Sequence, residues 1–315
     1  MIGLAWLACV AAGALAVRLV ARAGRDAHVP GASPWRRAAA RLAADRTATA
    51  AVFVLVLLAT MAVLAPALTP YDPAAQPDPV LYKDLAPSLA HPFGTDFASR
   101  DVLTRVLYGS RITLSVSLLA VLLSTLIGAA YGAVAGFYGG ALDAVMMRAI
   151  DAALSIPRIL VLIAVLALAE RVTLPALIVL IGITGWFQTS RLVRAQVLAL
   201  REQELTVAAR ALGARDREIL WRHLLPNVLS TVIVSGTLAI GSVVYLEAAL
   251  GYLGIGVRPP TPSWGNIIQD GASQLETAWW VALFPGLGIV ITTLAINALG
   301  DGLRDAFDPR TVDAA

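Results

Sequence analysis

The stretch Ile112-Thr-Leu-Ser-Val-Ser-Leu-Leu-Ala-Val-Leu-Leu-Ser-Thr-Leu-Ile-Gly-Ala-Ala-Tyr-Gly-Ala-Val-Ala135 runs for 24 residues without a charge. A helix needs roughly 20 apolar residues to cross a bilayer core about 30 Å thick, so this segment is long enough to span. Comparable runs stand at Ile2–Val17, Ala48–Leu68, Ile159–Ala169 (with Ala152–Pro157 before it), Val172–Ser190, Leu224–Leu246 and Thr277–Gly300. The whole chain agrees: 315 residues, 58% hydrophobic and 14% charged, with a mean hydropathy of +0.75. A soluble domain carries about a quarter charged residues. No ten-residue alternating segments recur, which argues against a lipid-facing β-barrel. The expected fold is all-α, a polytopic transmembrane helical bundle of about seven spans.

Net charge is +3, and the arginines are clustered. Arg18, Arg22, Arg25, Arg36, Arg37, Arg41 and Arg46 fill one inter-span region; Arg191, Arg194, Arg201, Arg210, Arg215, Arg217 and Arg222 fill another. Basic clusters beside apolar spans are retained on the cytoplasmic side, and no nucleic-acid recognition motif accompanies them. Placing both inside puts the N-terminus outside and the C-terminus in the cytoplasm. The segments rich in proline after Leu68 and after Gly251 then face outward. Arg100, Arg105 and Arg111 also fall outside, among Asp96 and Asp101, and fit the charge rule least well. Cys9 stands alone in an apolar run, so neither a disulfide framework nor a cysteine metal cluster is expected. Gly128, Gly132, Gly136 and Gly140 recur every fourth residue, a ridge that lets helices approach closely in lipid, within this chain or at a seam with a second subunit.

After the fifth apolar run, counting the leading one, comes Glu204-Leu-Thr-Val-Ala-Ala-Arg-Ala-Leu-Gly-Ala-Arg215, continuing to Arg222-His-Leu-Leu-Pro-Asn227. This reads as a short helix, a glycine able to adopt positive φ and end it, and a second helix ending at the proline. Two short helices meeting at a glycine form a knob on which another protein can push. An amphipathic helix lying on headgroups has the same composition, so both readings stand at this level.

The same stretch resembles the Ala-Ala-x-x-x-Gly…Leu-Pro motif of importer permeases in the ATP-binding-cassette superfamily. Ala208, Ala209, Gly213, Leu225 and Pro226 match it in type and spacing, while Val207 replaces the usual acid. Other segments are similar to the C-type permease subunit of dipeptide, oligopeptide and nickel importers. They are His91-Pro-Phe-Gly-Thr-Asp96 with Arg100-Asp-Val-Leu-Thr-Arg105 and Gly109-Ser-Arg111; Met147-Arg148 with Asp151 and Ile156-Pro157; Leu253-Gly-Ile-Gly256 with Pro259-Pro-Thr-Pro-Ser-Trp-Gly265; and Gly300-Asp-Gly-Leu-Arg-Asp-Ala-Phe-Asp-Pro309. Ala98-Ser99 departs from the family's more usual glycine, and the leading helix before Trp35 departs from its pattern.

The resemblance implies a type I importer permease fold in a bacterial cytoplasmic membrane, moving peptides or similar small solutes by alternating access. It implies a second homologous permease, two ATPases that bind ATP and Mg, and an extracytoplasmic solute-binding protein as partners. The coupling loop would be 201–226. The chain would divide into an extra helix and linker (1–34), a first core helix with an external loop (35–110), the permease core (111–300) and a cytoplasmic tail (301–315). Nickel or another small solute is the alternative cargo within the same architecture.

The chain lacks a Gly-x-x-x-x-Gly-Lys-Ser/Thr loop, and its one lysine is Lys83. It is therefore not a P-loop ATPase, and no cofactor is expected in it. His28, His91 and His223 lie far apart, and no nucleophile motif is present, so neither a metal site nor a catalytic triad is expected. Ionisable or polar residues in spans are costly and mark paths or helix pairs. Asp151 and Arg158, seven apart on one expected helical face, are candidates, with Glu247, Asn297 and Gln188 near span ends. Snorkelling to the interface is the plainer role for such side chains. Arg258 in the external loop is a candidate contact for a delivering protein or a substrate carboxylate, with simple solvation the plainer role. An ion-coupled secondary transporter would need midplane ionisable groups and an internal repeat, neither of which is evident. A membrane enzyme would need a catalytic constellation.

Overall fold

A computed structural model describes residues 2–25, 34–78, 80–169 and 172–308. The linker 26–33 with His28, Pro79, and the tail from Pro309 onward lie outside the described residues. The helices are α1 (Ile2–Arg25), α2 (Pro34–Ala44), α3 (Arg46–Val63), α4 (Ala65–Leu68), α5 (Val102–Tyr138), α6 (Gly140–Leu154), α7 (Arg158–Leu168), α8 (Leu174–Ile183), α9 (Phe187–Arg201), α10 (Glu204–Ala211) and α11 (Asp216–Glu218). A π-helical turn at Ile219–Leu224 leads into α12 (Leu225–Tyr252), followed by α13 (Trp264–Ala272) and α14 (Trp280–Phe307). The fold among the described residues is all-α, with one isolated backbone bridge between Thr95 and Asp101.

Among the described residues five helices are long and apolar enough to span a membrane: α1, α3, α5, α12 and α14. Their apolar side chains stay largely uncovered by protein; only 11% of the α1 window is buried. That surface is what lipid solvates. Two further stretches pass the same test only as bent pairs, α6 with α7 at 70° and α8 with α9 at 41°. The expected runs at Ile159–Ala169 (with Ala152–Pro157 before it) and Val172–Ser190 therefore each belong to a sharply bent helix pair. Pro157 has no N–H to give and disfavours a helical Ile156, so the first bend sits at Ser155-Ile156-Pro157. The second bend sits at Thr184-Gly185-Trp186, where Gly185 N–H closes a tight turn onto Gly182 O at 3.2 Å.

Two compact units are present. The first comprises 1–117, 169–177 and 240–315. In it α1 and α14 both pack on α3. A Cβ at Gly13 would meet the Phe53 ring at 2.8 Å, and α1 also donates Trp6 Nε1 to Leu68 O at 3.3 Å. Asp45 caps α3 by accepting from Thr47 N at 2.8 Å. Arg41 on α2 donates to Asp308 O at 2.9 Å, meeting the end of α14 where a cation is favoured. Trp35 and Phe307 meet edge to face at 5.2 Å beside it.

The first unit also accounts for the arginines that fit the charge rule least well. α5 begins at Val102, ten residues before the expected span, because the Asp101 side chain caps it by accepting from Thr104 N at 2.8 Å. The helix is 37 residues long, about 55 Å at 1.5 Å per residue, so it exceeds a bilayer core by several turns. Arg100 donates to Asp96 at 2.7 Å and to Asp270 at 2.9 Å. Arg105 pairs with Asp96 and, at 2.9 Å, with Asp270. Two guanidinium groups facing two carboxylates cancel, so these arginines carry little weight as a topology signal.

The second unit comprises 118–168 and 178–239. The glycine ridge of α5 closes on α9 in this same chain. A Cβ at Gly128 would meet Trp186 O at 2.7 Å, and one at Gly136 would meet Arg194 O at 2.8 Å; Gly132 faces Ser190 O in between. Gly140 does not belong to the ridge, since no atom lies within 4 Å of the Cβ position there and its φ is +58°. Ala133, Phe137, Val193, Val197, Ile219, Leu224, Val228 and Val232 form the apolar core of this unit.

Candidate functional site

The segment 201–226 folds as an elbow on the end of α9. Thr206 Oγ1 donates to Leu200 O at 2.9 Å and ties α10 to α9. α10 ends in a Schellman turn: Gly213 takes φ +85°, and Ala214 N–H bonds back to Ala209 O at 3.1 Å. Nothing lies within 4 Å of a Cβ placed on Gly213, so the glycine is demanded by its backbone angle and not by crowding. Ile219 and Leu224 are buried against Val193 and Val197 of α9, which fixes the second half of the elbow to the same helix.

Pro226 does not end a helix, contrary to expectation. The π turn widens the backbone, with Leu225 N–H bonding five residues back to Leu220 O, and the chain runs on into α12 with Pro226 in its first turn. Proline is tolerated in the first turn of a helix, where its missing N–H costs little. Ala208, Gly213 and Pro226 are exposed, while Ala209 and Leu225 are half-buried. The outer surface is apolar for a solvent-facing knob: Leu212 is 89%, Trp221 63% and Val207 53% exposed. A polar cleft of about 380 Å³ lies alongside, lined by Phe137, Tyr138, Arg201, Glu202 and Asp216.

α9 is the hub behind the elbow. Asp143 on α6 takes Arg194 in a two-pronged pair, with Nη2 to Oδ2 at 2.5 Å. Asp151, also on α6, pairs with Arg191. Gln196 Nε2 donates to Thr231 Oγ1 of α12 at 2.6 Å. Asp151 therefore meets a partner 40 positions away, while Arg158 lies beyond the 70° bend and shares no helical face with it. Arg158 instead donates to Ile181 O at 2.6 Å, a carbonyl freed where Gly185 N–H turns to Gly182 O, and to Thr184 Oγ1 at 3.2 Å. Asp143 and Arg194 were not among the expected site residues; Asp143 stands in the first turn of α6 and Arg194 in the middle of α9, with no local pattern to join them.

Glu247 lies five residues before the end of α12, fully buried, and accepts from Thr113 Oγ1 at 2.8 Å. The same hydroxyl accepts from Trp264 N at 3.3 Å, so the carboxylate anchors the start of α13 through Thr113. Asn297 lies ten residues before the end of α14, and its side chain is exposed. Gln188 is exposed in the first turn of α9. Outside the spans, burial pushes the Asp84 carboxyl above the ordinary range, with Lys83 opposing and Asp96 reinforcing the shift. Its Oδ1 is buried without a hydrogen-bond partner.

Residues 128–313 match the family described as binding-protein-dependent transport system inner membrane component. Residues 33–88 match the N-terminal TM domain of oligopeptide transport permease C. The chain is 40% identical over 277 residues to a dipeptide transport system permease protein of Bacillus subtilis, covering 88% of this chain and 84% of that one. It is 37% identical over 278 residues to the oligopeptide transport system permease protein of the same organism, covering 88% and 90%. A putative peptide permease protein of Brucella suis is 42% identical over 282 residues, covering 88% and 91%. Taken with the bundle of spanning helices, these matches show that the chain belongs to the inner-membrane permease components of binding-protein-dependent ABC importers, in the dipeptide and oligopeptide branch.

Proposed function

We propose that this chain is one of two permease subunits of an ATP-driven importer that carries dipeptides or oligopeptides across the cytoplasmic membrane by alternating access. The observation that carries the proposal is the elbow at 201–226: a rigid, apolar-surfaced knob fixed to α9, on a chain whose relatives are named as peptide permeases. In this reading the bent pairs α6–α7 and α8–α9 count as one span each, giving seven spans in a type I arrangement. Both arginine-rich regions and the C-terminus are cytoplasmic, and the N-terminus is outside. Ala208, Ala209, Gly213, Leu225 and Pro226 shape the elbow, and Leu212 and Trp221 supply apolar contact to an ATPase. Closure of two such ATPases on ATP and Mg would move the elbow and, through α9, the spans.

A homologous second permease completes the path, and a solute-binding protein delivers cargo to the outer side, where Arg258 stands in the proline-rich loop. Asp151, Arg158 and Glu247 serve as helix-pairing residues in this scheme, and Asn297 remains available to line the path. The domain limits follow the same scheme: helix and linker 1–34, first core helix and outer loop 35–110, core 111–300, tail 301–315.

Reconstitution of the chain with the second permease, the ATPases and the binding protein tests this directly. Labelled dipeptide or oligopeptide should enter proteoliposomes only with ATP, and a Leu212→Asp, Trp221→Asp variant should abolish uptake and ATPase co-purification while keeping membrane insertion. Uptake by the chain alone, or full coupling in that variant, would refute the proposal.

A further inference from the structure

α1 precedes the residues matched by the permease family, yet it is well packed on α3, and a groove opens beside their junction. The groove holds about 430 Å³ and is lined by Val17 of α1, Ala43 of α2, and Arg46, Thr49, Ala50 and Phe53 of α3. Gly13 brings α1 against the Phe53 ring beside the groove. Thr49 Oγ1 is already committed, donating to Asp45 O at 2.7 Å. Among the described residues, Arg46 is then the polar group of the lining without a hydrogen-bond or ion-pair partner. Arg18 and Arg22 of α1 and Arg36 and Arg37 of α2 are likewise exposed, and none of these five arginines makes an ion pair among the described residues. The nearby acid, Asp45, is spent on capping α3.

An apolar slot with a cation at its rim, set at the end of two spanning helices and surrounded by unpaired positive charge, has the complement of one kind of molecule. We propose that the α1–α2–α3 corner binds an acidic phospholipid of the membrane leaflet on its side. One acyl chain lies along Val17, Ala43, Ala50 and Phe53, and the phosphate meets Arg46. The other arginines raise the local concentration of anionic headgroups. The shape favours lipid over a free anion, because the slot beneath the charge is hydrocarbon-lined and gains from being filled by a chain. The inference needs only that α1 and α3 span the membrane; it is independent of the cargo and of the ATPase contact.

The test uses the full chain, purified in mild detergent with the subunits that accompany it, and native mass spectrometry to count retained lipid. Phosphatidylglycerol and phosphatidylcholine with the same acyl chains are offered at equal concentration. The wild type should retain phosphatidylglycerol about fivefold over phosphatidylcholine for each arginine engaged, and raised salt should erode that preference. Arg46→Gln should lower it about fivefold, and Arg46→Lys should restore most of it. Phe53→Trp, which fills the slot and leaves every arginine in place, should lose the lipid, while millimolar inorganic phosphate should not displace it from the wild type. Equal retention of the two lipids, salt-insensitive retention, or displacement by inorganic phosphate would each overturn the proposal. The salt and phosphate arms need no variant, so they decide the matter even where a substitution disturbs folding.

Discussion

Gly213 sits at φ +85° with open space where a Cβ would point, so substitutions there read out backbone strain with no steric contribution. A non-glycine residue in the left-handed region costs about 1–2 kcal/mol, and a β-branched residue lies at the upper end or beyond. Alanine should then shift the elbow away from its observed shape by about 1 kcal/mol, roughly fivefold in population, and valine by about 2 kcal/mol, roughly thirtyfold. Asparagine tolerates this region and should stay near wild type. If the elbow is the element an ATPase grips, peptide uptake into proteoliposomes should fall in the order Gly, Asn, Ala, Val, and peptide-stimulated ATP hydrolysis should fall with it. Membrane insertion and thermal stability of the bundle should hardly change, because Ile219 and Leu224 keep the elbow anchored. Unchanged transport by Gly213→Val would refute the coupling role. An Asn variant as impaired as Val would refute the backbone argument, since strain could no longer be the cause.

Arg105 is only 2% exposed at its side chain and faces Asp96 and Asp270. Arg105→Ala should destabilise the outer segment by about 3 kcal/mol, the low end for an orphaned buried charge because Arg100 remains, and limited proteolysis of 70–100 should accelerate. Asp143→Asn should cost roughly 1–2 kcal/mol in thermal unfolding, between an exposed and a fully buried pair, and the reversed pair Asp143→Arg with Arg194→Asp should recover part of it. Asp84 has a carboxyl raised by burial, so its protonated form suits the fold. The stability it contributes is full below the unfolded value near 4 and is lost as pH rises through the higher folded value. Asp84→Asn should therefore resist proteolysis better than wild type at neutral pH, aided by asparagine's tolerance of φ +51°, with the electrostatic part of the gain vanishing in acid.

Much of this architecture is legible in the sequence because lipid imposes a simple rule on long segments. The run from Ile112 to Ala135 could hardly be anything but a spanning helix, and the four-residue spacing of Gly128, Gly132 and Gly136 announces a close helix contact. Gly213 announces the end of α10 equally well, since few other residues accept its angle. What escaped the sequence was pairing at a distance. Asp143 and Arg194 are 51 positions apart, and Arg105 and Asp270 are 165 apart. No local periodicity joins such residues; only the packed helices do. The bend at Pro157 was visible as a residue type but not as an angle, and that angle decides whether Asp151 and Arg158 share a face. Pro226 misled in the opposite sense, because a π turn lets the chain pass a proline without stopping.

These distant pairs bear on how an elbow could move anything. A knob joined to the bundle by a flexible linker would absorb a push and transmit none of it. Here α10 is tied to α9 by Thr206, and the π turn is buried against α9 through Ile219 and Leu224, so both arms of the elbow load the same helix. α9 in turn holds α6 through two arginine–carboxylate pairs and seats directly on the backbone of α5 along the glycine ridge. Packed helices in contact without intervening side chains have little room to slide, so under the proposed function a displacement at Gly213 would be shared by α9, α6 and the part of α5 around Gly128–Gly136. The glycine contacts and the two ion pairs thus join α5, α6 and α9 within this unit, and the bends at Pro157 and Gly185 interrupt the helices that adjoin them.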